Sequence, residues 1–112
     1  MKRVMVVGSS GVLGKLICTE LLRIFGNTIH LVVSDYKTSR GKETATTLGS
    51  GVRFQYLDIH HKESVEQALQ EVDIIIVATK QTTPIIQKVC IEQKVFCIDV
   101  TVFGDFVISY IK

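Results

Sequence analysis

The stretch Val6-Val7-Gly8-Ser9-Ser10-Gly11-Val12-Leu13-Gly14 governs how the rest of the chain reads. Its glycines stand at 8, 11 and 14, directly after an apolar run and directly before a segment with helical periodicity. That context distinguishes a strand-to-helix phosphate loop from a stray glycine triplet. In such a loop Gly8 permits the tight turn out of the strand. Gly11 lets the backbone approach a pyrophosphate with no Cβ in the way, and Gly14 lets the helix pack closely on the sheet. The N–H groups of the first helical turn, at the positive end of its dipole, then face the phosphates. Ser9 and Ser10 are expected to add hydroxyl donors. The whole run from Gly8 to Gly14, Val12 and Leu13 included, is the expected cradle of a dinucleotide.

Outward from the loop, short apolar runs alternate with amphipathic segments. The runs predict strands β1 at Arg3–Val7, β2 at Thr28–Ser34, β3 at Val52–Leu57, β4 at Asp73–Ala78 and β5 at Val95–Val100. Several are near-continuous in Val and Ile, as expected of parallel strands covered on both faces. After the loop, Leu13, Ile17, Leu21 and Ile24 recur as one helix face, and Gly26 is placed to stop that helix. A second helix is expected over roughly Arg40 to Leu48, with Gly41 as a weak point. Val65, Ala68, Leu69 and Val72 form a third stripe. Thr83 and Pro84 read as the cap and first position of a fourth helix, which then presents Ile86, Val89 and Cys90. This alternation defines an α/β class, a Rossmann-type doubly wound parallel sheet. The expected strand order is 3-2-1-4-5 in three α/β/α layers, with right-handed crossovers.

Strand ends at the carboxyl edge line the crevice of such a fold. Asp35 ends β2, 21 residues beyond Gly14. A carboxylate there accepts hydrogen bonds from adenosine ribose hydroxyls and repels a 2′-phosphate, which gives a slight lean to NAD over NADP. Lys37 and Arg40, close behind, are the residues able to meet a 2′-phosphate instead. Asp58 and Ile59 follow β3 and are placed to meet the adenine amino group and its face, with Asp58 equally suited to capping the next helix. Ala78 and Thr79 end β4 at the switch point, against the nicotinamide-side ribose. Asp99 and Thr101 end β5 further along. His60 and His61 are adjacent and point different ways, a poor metal pair. No nucleophile has a partnered base and no Tyr-x-x-x-Lys pair exists, so no catalytic or metal-ligating residue is expected.

Composition bounds the remaining classes. The chain has 112 residues, 46% of them hydrophobic and 21% charged, as in an ordinary globular domain. One domain, residues 1–112, is expected. A net charge of +2 gives no basic patch for a nucleic-acid partner. Cys18, Cys90 and Cys97 sit in apolar runs, as buried thiols do in a reducing compartment. No signal-peptide pattern opens the chain. The longest apolar run, Ile74 to Ala78, is far short of the ~20 residues of a membrane span. The expected setting is therefore cytoplasmic. The tail is apolar at Phe103, Phe106, Val107, Ile108 and Ile111. Such a tail is expected to associate with another copy and to lead into a further domain.

Five stretches together carry a family resemblance, the first four being Val6 to Gly14, Val33-Ser34-Asp35, Tyr56-Leu57-Asp58-Ile59, and Glu71 through Thr79. The run from Pro84 through Cys90-Ile91-Glu92 to Ile98-Asp99-Val100-Thr101 is the most specific. Over about Lys2 to Thr101 the chain resembles the N-terminal NAD(P)-binding domain of the saccharopine dehydrogenase-like reductases. It departs at Ser10, where many members have glycine. Its 8, 11, 14 spacing is instead similar to the enoyl-reductase-like branch and to extended short-chain dehydrogenases. It departs again at Tyr36, beside Asp35 in the expected nucleotide site, where members often carry arginine. The resemblance implies a cofactor domain of an oxidoreductase, inactive alone, with a C-terminal substrate domain outside this chain. A non-catalytic NAD(H)-sensing regulatory domain is the alternative, disfavoured by the Asp99-Val100-Thr101 ending. A domain for an S-adenosyl donor or a flavin is a third reading, for which the glycine loop is less typical.

Overall fold

In a computed structural model that describes residues 1–81 and 83–101, five strands form one parallel sheet. They are β1 (Lys2–Val7), β2 (Ile29–Asp35), β3 (Arg53–Tyr56), β4 (Ile74–Val77) and β5 (Phe96–Asp99), in the order β3-β2-β1-β4-β5. Between them run α1 (Val12–Phe25), α2 (Thr38–Leu48), α3 (Lys62–Ala68) and α4 (Ile85–Gln93). The doubly wound architecture and its strand order stand as expected, and each strand bound lies within one residue of its expected place.

β1 is the central strand. Val6 lies in register with Val33 on one side and Ile76 on the other. Successive side chains of a strand point to opposite faces, so an unbroken apolar run serves two cores. Val4 and Val6 join Cys18, Leu31, Val33, Ala45 and Ile76 on the side of α1 and α2. Met5 and Val7 join Leu57, Val65, Leu69, Ile75, Val77, Ile86 and Val89 on the side of α3 and α4. The inner strands are covered on both faces, which is why they carry no polar alternation.

Two helical details differ from expectation. The buried face of α1 is Gly14 and Cys18, flanked by partly buried Ile17, Leu21 and Leu22. Leu13 and Ile24 are 45% and 60% exposed. Gly14 must face inward against the loop, and that requirement rotates the helix away from the most apolar stripe. In α4 the cap is Pro84 itself and the helix starts at Ile85, while Thr83 is exposed and makes no cap bond. The stripes of α3 and α4 are buried as read. Gly41, the weak point of α2, is required by packing. A Cβ there would overlap the Phe54 ring of β3, so glycine lets α2 lie flat on the sheet edge. Gly26 closes α1 as expected, its N–H donating to the Leu22 carbonyl. The apolar tail beyond Thr101, and the association expected of it, lie outside the described residues.

Candidate functional site

Two strand-to-helix turns meet above the carboxyl end of the sheet. The first joins β1 to α1. Gly8 adopts φ +84° and lies so close to the end of β4 that a Cβ would sit 2.9 Å from the Ala78 carbonyl oxygen. Its own carbonyl accepts the Gly11 N–H at 3.1 Å, closing the turn. At Gly14 a Cβ would overlap the Gly8 carbonyl and the Ser9 Cα. Its role is therefore helix-to-loop contact rather than the helix-to-sheet contact expected. Gly11 differs from both. An added Cβ there meets nothing nearer than the Gly8 oxygen at 3.4 Å, an ordinary contact. Packing requires glycine at 8 and 14, whereas at 11 only something arriving from outside would. Gly11 is also the cap of α1 and offers no side-chain bond, so the first-turn N–H groups are left for a ligand.

The serines of this loop divide. Ser9 is 1% exposed. Its hydroxyl donates to the Ser34 carbonyl at 3.1 Å and accepts the Ser34 N–H at 3.2 Å. The Ser9 hydroxyl, expected as a donor to phosphate, here ties the loop to β2. Ser34 in turn donates its own hydroxyl to the Val6 carbonyl at 3.0 Å. Ser10 reaches sideways into the second turn, between β2 and α2.

That second turn is organised around the Asp35 carboxylate, whose side chain is 3% exposed. One oxygen, Oδ2, accepts from Arg40 Nε at 2.6 Å and from the Ser10 hydroxyl at 2.9 Å. The other, Oδ1, accepts from Arg40 Nη2 at 2.7 Å and from the Lys37 N–H at 3.0 Å. The Ser10 hydroxyl also lies 3.0 Å from that of Thr44 on α2. Burial alone would push the Asp35 carboxyl up. The bonds from Arg40, Lys37 and Ser10 outweigh it and hold the group at about 2. The same pair raises the Arg40 guanidinium further above its already high range. Arg40 remains 46% exposed, with its guanidinium carbon 5.4 Å from the centre of the Tyr36 ring. Lys37 Nζ lies 5.8 Å from the same ring. This corner presents positive charge beside an aromatic face.

Between the turns opens a cavity of about 740 Å³, within the range of small-molecule sites. It brings together Gly8, Ser10, Gly11, Asp35, Tyr36, Asp58, Ile59, Ala78 and Thr79 from the expected set. Ser9, Val12, Leu13 and Gly14 do not line it. The side chains of Val12 and Leu13 point to solvent. Val7, Ser34, Arg40, Leu57, His60 and Lys80 complete the wall. Leu57, His60 and Lys80 each adjoin an expected strand-end residue, so a wider reading of those ends would have found them. Asp58 does not cap α3, whose cap is His61. Its carboxylate accepts the His60 N–H at 3.0 Å and lies 3.4 Å from His61 Nε2. Asp99 and Thr101 lie outside the cavity and bond each other, with the Thr101 hydroxyl donating to Asp99 Oδ1 at 2.6 Å.

A parallel sheet in this order, with a cavity over its carboxyl edge and a glycine turn opening α1, defines a Rossmann-type nucleotide-binding domain. The chain belongs to the family of the saccharopine dehydrogenase NADP binding domain, whose model matches residues 4–110. In fold it is similar to the apo histidine-tagged saccharopine dehydrogenase (L-Glu forming) from Saccharomyces cerevisiae. That match has a TM-score of 0.76 and 21% identity, over 88% of this chain and 21% of that one. It is similar also to a wide-type short-chain dehydrogenase/reductase from Veillonella parvula in complex with NADP (TM-score 0.68, 16% identity, 88% of this chain and 46% of that one). Vestitone reductase from alfalfa, Medicago sativa, matches with a TM-score of 0.68 and 19% identity, over 88% of this chain and 36% of that one. At these identities the likeness is one of fold. The chain spans about a fifth of the yeast enzyme and under half of the other two. No curated protein sequence matches it.

Proposed function

We propose that this domain binds NADP(H) for an oxidoreductase whose substrate domain lies in another part of the protein. The observation that carries the reading is the occupation of Asp35. Both of its oxygens already accept from Arg40, and Lys37 and Ser10 take the remaining directions. A carboxylate so engaged is poorly placed to take a ribose diol, which removes the basis of the lean to NAD. It serves instead to anchor an exposed guanidinium where a 2′-phosphate would arrive. Arginine suits phosphate through its planar fork of donors.

In this reading the backbone from Gly8 to Gly14 receives the pyrophosphate, with Gly11 as the point of closest approach. Tyr36 and Arg40 flank the adenosine, and Asp58 and Ile59 meet the adenine. Ala78 and Thr79 border the nicotinamide-side ribose. The bound cofactor supplies the hydride chemistry, and the protein supplies position and electrostatics. Among the described residues no helix is long and apolar enough to cross a membrane.

The direct test is titration of the chain with NADPH and with NADH, followed by nicotinamide fluorescence. Saturable binding is expected, with NADPH tighter by at least about tenfold, the value of one well-made charged hydrogen bond. Equal or reversed preference would overturn the choice of NADP. No saturable binding of either would overturn the nucleotide reading itself.

A further inference from the structure

The corner between α4 and β5 brings two thiols together from different elements. α4 ends at Gln93, and Lys94 takes the left-handed conformation at φ +60°. The Cys90 carbonyl accepts the N–H groups of Lys94 and Val95, the latter at 2.9 Å. That reversal turns the chain from the helix directly into the strand. Cys90 is 3% exposed and packs in the core on the side of α3 and α4. Cys97 stands in register with Ile75 of β4, and strand alternation sends both side chains into that same core. A side-chain hydrogen bond joins the two thiols. Cys18 is fully buried in the core on the opposite face of the sheet, so it reaches neither of them.

The pair is asymmetric. Cys90 donates the shared hydrogen bond, and that bond, with burial adding to it, pushes its thiol well above the usual range. The same bond draws the Cys97 thiol below its usual range, against burial and the nearby Asp99 charge. Cys97 is also the less covered of the two, only partly buried on the outer strand β5. A partly open thiol that favours the thiolate is the nucleophile of a pair. A protonated thiol in contact with it is placed to resolve what it forms. Neither cysteine lines the cavity over the sheet, so the nucleotide site leaves both unused.

We propose that Cys97 and Cys90 form a redox-active dithiol, a modification site that takes hydrogen peroxide and yields a disulfide linking β5 to α4. The Cys97 thiolate attacks one peroxide oxygen, and the O–O bond breaks. Cys97 becomes a sulfenic acid, and the departing hydroxide takes up the proton that Cys97 gave up, leaving as water. The Cys90 sulfur then attacks the Cys97 sulfur. The S–S bond forms, the S–O bond breaks, and the hydroxyl leaves with the Cys90 proton as a second water. The two thiols lose two electrons and the peroxide gains them. This inference rests on the fold and not on the identity of the cofactor.

The test is mass spectrometry of the reduced 112-residue chain before and after hydrogen peroxide. Before oxidation, iodoacetamide is expected to label Cys97 at least about tenfold faster than Cys90 or Cys18. After it, the intact chain should have lost two hydrogens. Trypsin cuts after Lys88 and Lys94, so the disulfide should join peptide 89–94 to the peptide that starts at Val95. Cys18, its thiol pushed up to about 11 by burial, should stay unmodified. In Cys90→Ser, Cys97 should instead gain two oxygens as a sulfinic acid. A sulfinic acid at Cys97 of the unaltered chain, with Cys90 still free, would overturn the proposal. So would a covalent dimer joined through Cys97, equal labelling of all three thiols, or no oxidation at either cysteine.

Discussion

The two turns that meet over the cavity are built in opposite ways. The β1–α1 turn works by subtraction: side chains are missing at 8, 11 and 14, which leaves backbone groups for the proposed binding. The β2–α2 turn works by addition, with a buried carboxylate, a guanidinium, two hydroxyls and a main-chain N–H locked around one another. The first is rigid because nothing else fits. The second is rigid because every hydrogen-bonding direction of Asp35 is satisfied, the condition under which a buried charge is tolerated. Ser9 and Ser10 bind the turns together, one to the backbone of β2 and the other to the Asp35 carboxylate. A nucleotide lying across both would meet shape on one side and charge on the other. In the proposed reading, shape sets whether a dinucleotide binds, and charge sets which one.

The largest effect that can break this contrast is within the first turn. In Gly14→Ala the new methyl collides with the Gly8 carbonyl, and backbone cannot step aside as a side chain can. A loss of about 3 kcal/mol or more of folding stability is expected in denaturant unfolding, the upper range for overpacking. Gly11→Ala is the counterpart. Its methyl meets only an ordinary contact, so stability should stay within about 0.5 kcal/mol. NADPH affinity should nevertheless fall about tenfold or more as the pyrophosphate is held off. Equal destabilisation by both substitutions would show that all three glycines serve packing and that subtraction is not for the ligand.

The contrast also explains what was legible beforehand. Strand order, the α3 stripe and the glycine loop follow from periodicities local to the chain. The role of Asp35 was not local. It depends on Arg40 a turn and a half further on, and on Ser10, which reaches it across the sheet edge. A carboxylate at the end of β2 reads as a ribose acceptor until its partners are known. Ser9 is similar: a serine in a glycine-rich loop reads as a donor to a ligand, and its burial against Ser34 is not legible from the local sequence. The α1 stripe was misplaced because apolarity was weighed and the need of Gly14 to face inward was not.

The second turn is tested by Arg40→Ala. Loss of a charged donor to phosphate is worth roughly 1.5–3 kcal/mol, so NADPH affinity should fall about 10- to 100-fold with NADH little changed. A parallel loss for both nucleotides would place Arg40 on the adenosine rather than on the 2′-phosphate. Ser9→Ala probes the seam between the turns. It leaves the buried Ser34 N–H without its acceptor, and about 1–2 kcal/mol of stability should go. Because the Ser9 hydroxyl faces β2 and not the cavity, the NADPH titration should keep its midpoint. A shift of that midpoint beyond the loss of folded protein would return Ser9 to the phosphate site.

The smallest effect is the sharpest. Asp35→Asn removes a negative charge beside the proposed 2′-phosphate position, and simple electrostatics says that NADPH should bind better. If Asp35 acts through Arg40, the opposite follows. The amide keeps one acceptor oxygen but loses the two-pronged charged grip, so Arg40 loosens and NADPH affinity falls a few-fold, about 1 kcal/mol or less. The pH dependence separates the two accounts further. The folded carboxyl, held at about 2, lies below its ordinary range. It therefore adds stability that is fully present above about pH 4 and lost as pH falls toward about 2. Acid unfolding of the unaltered chain should show that limb, and Asp35→Asn should lack it. Tighter NADPH binding by Asp35→Asn would mean that the carboxylate acts on the nucleotide directly, and the second turn would then discriminate by repulsion rather than by anchoring.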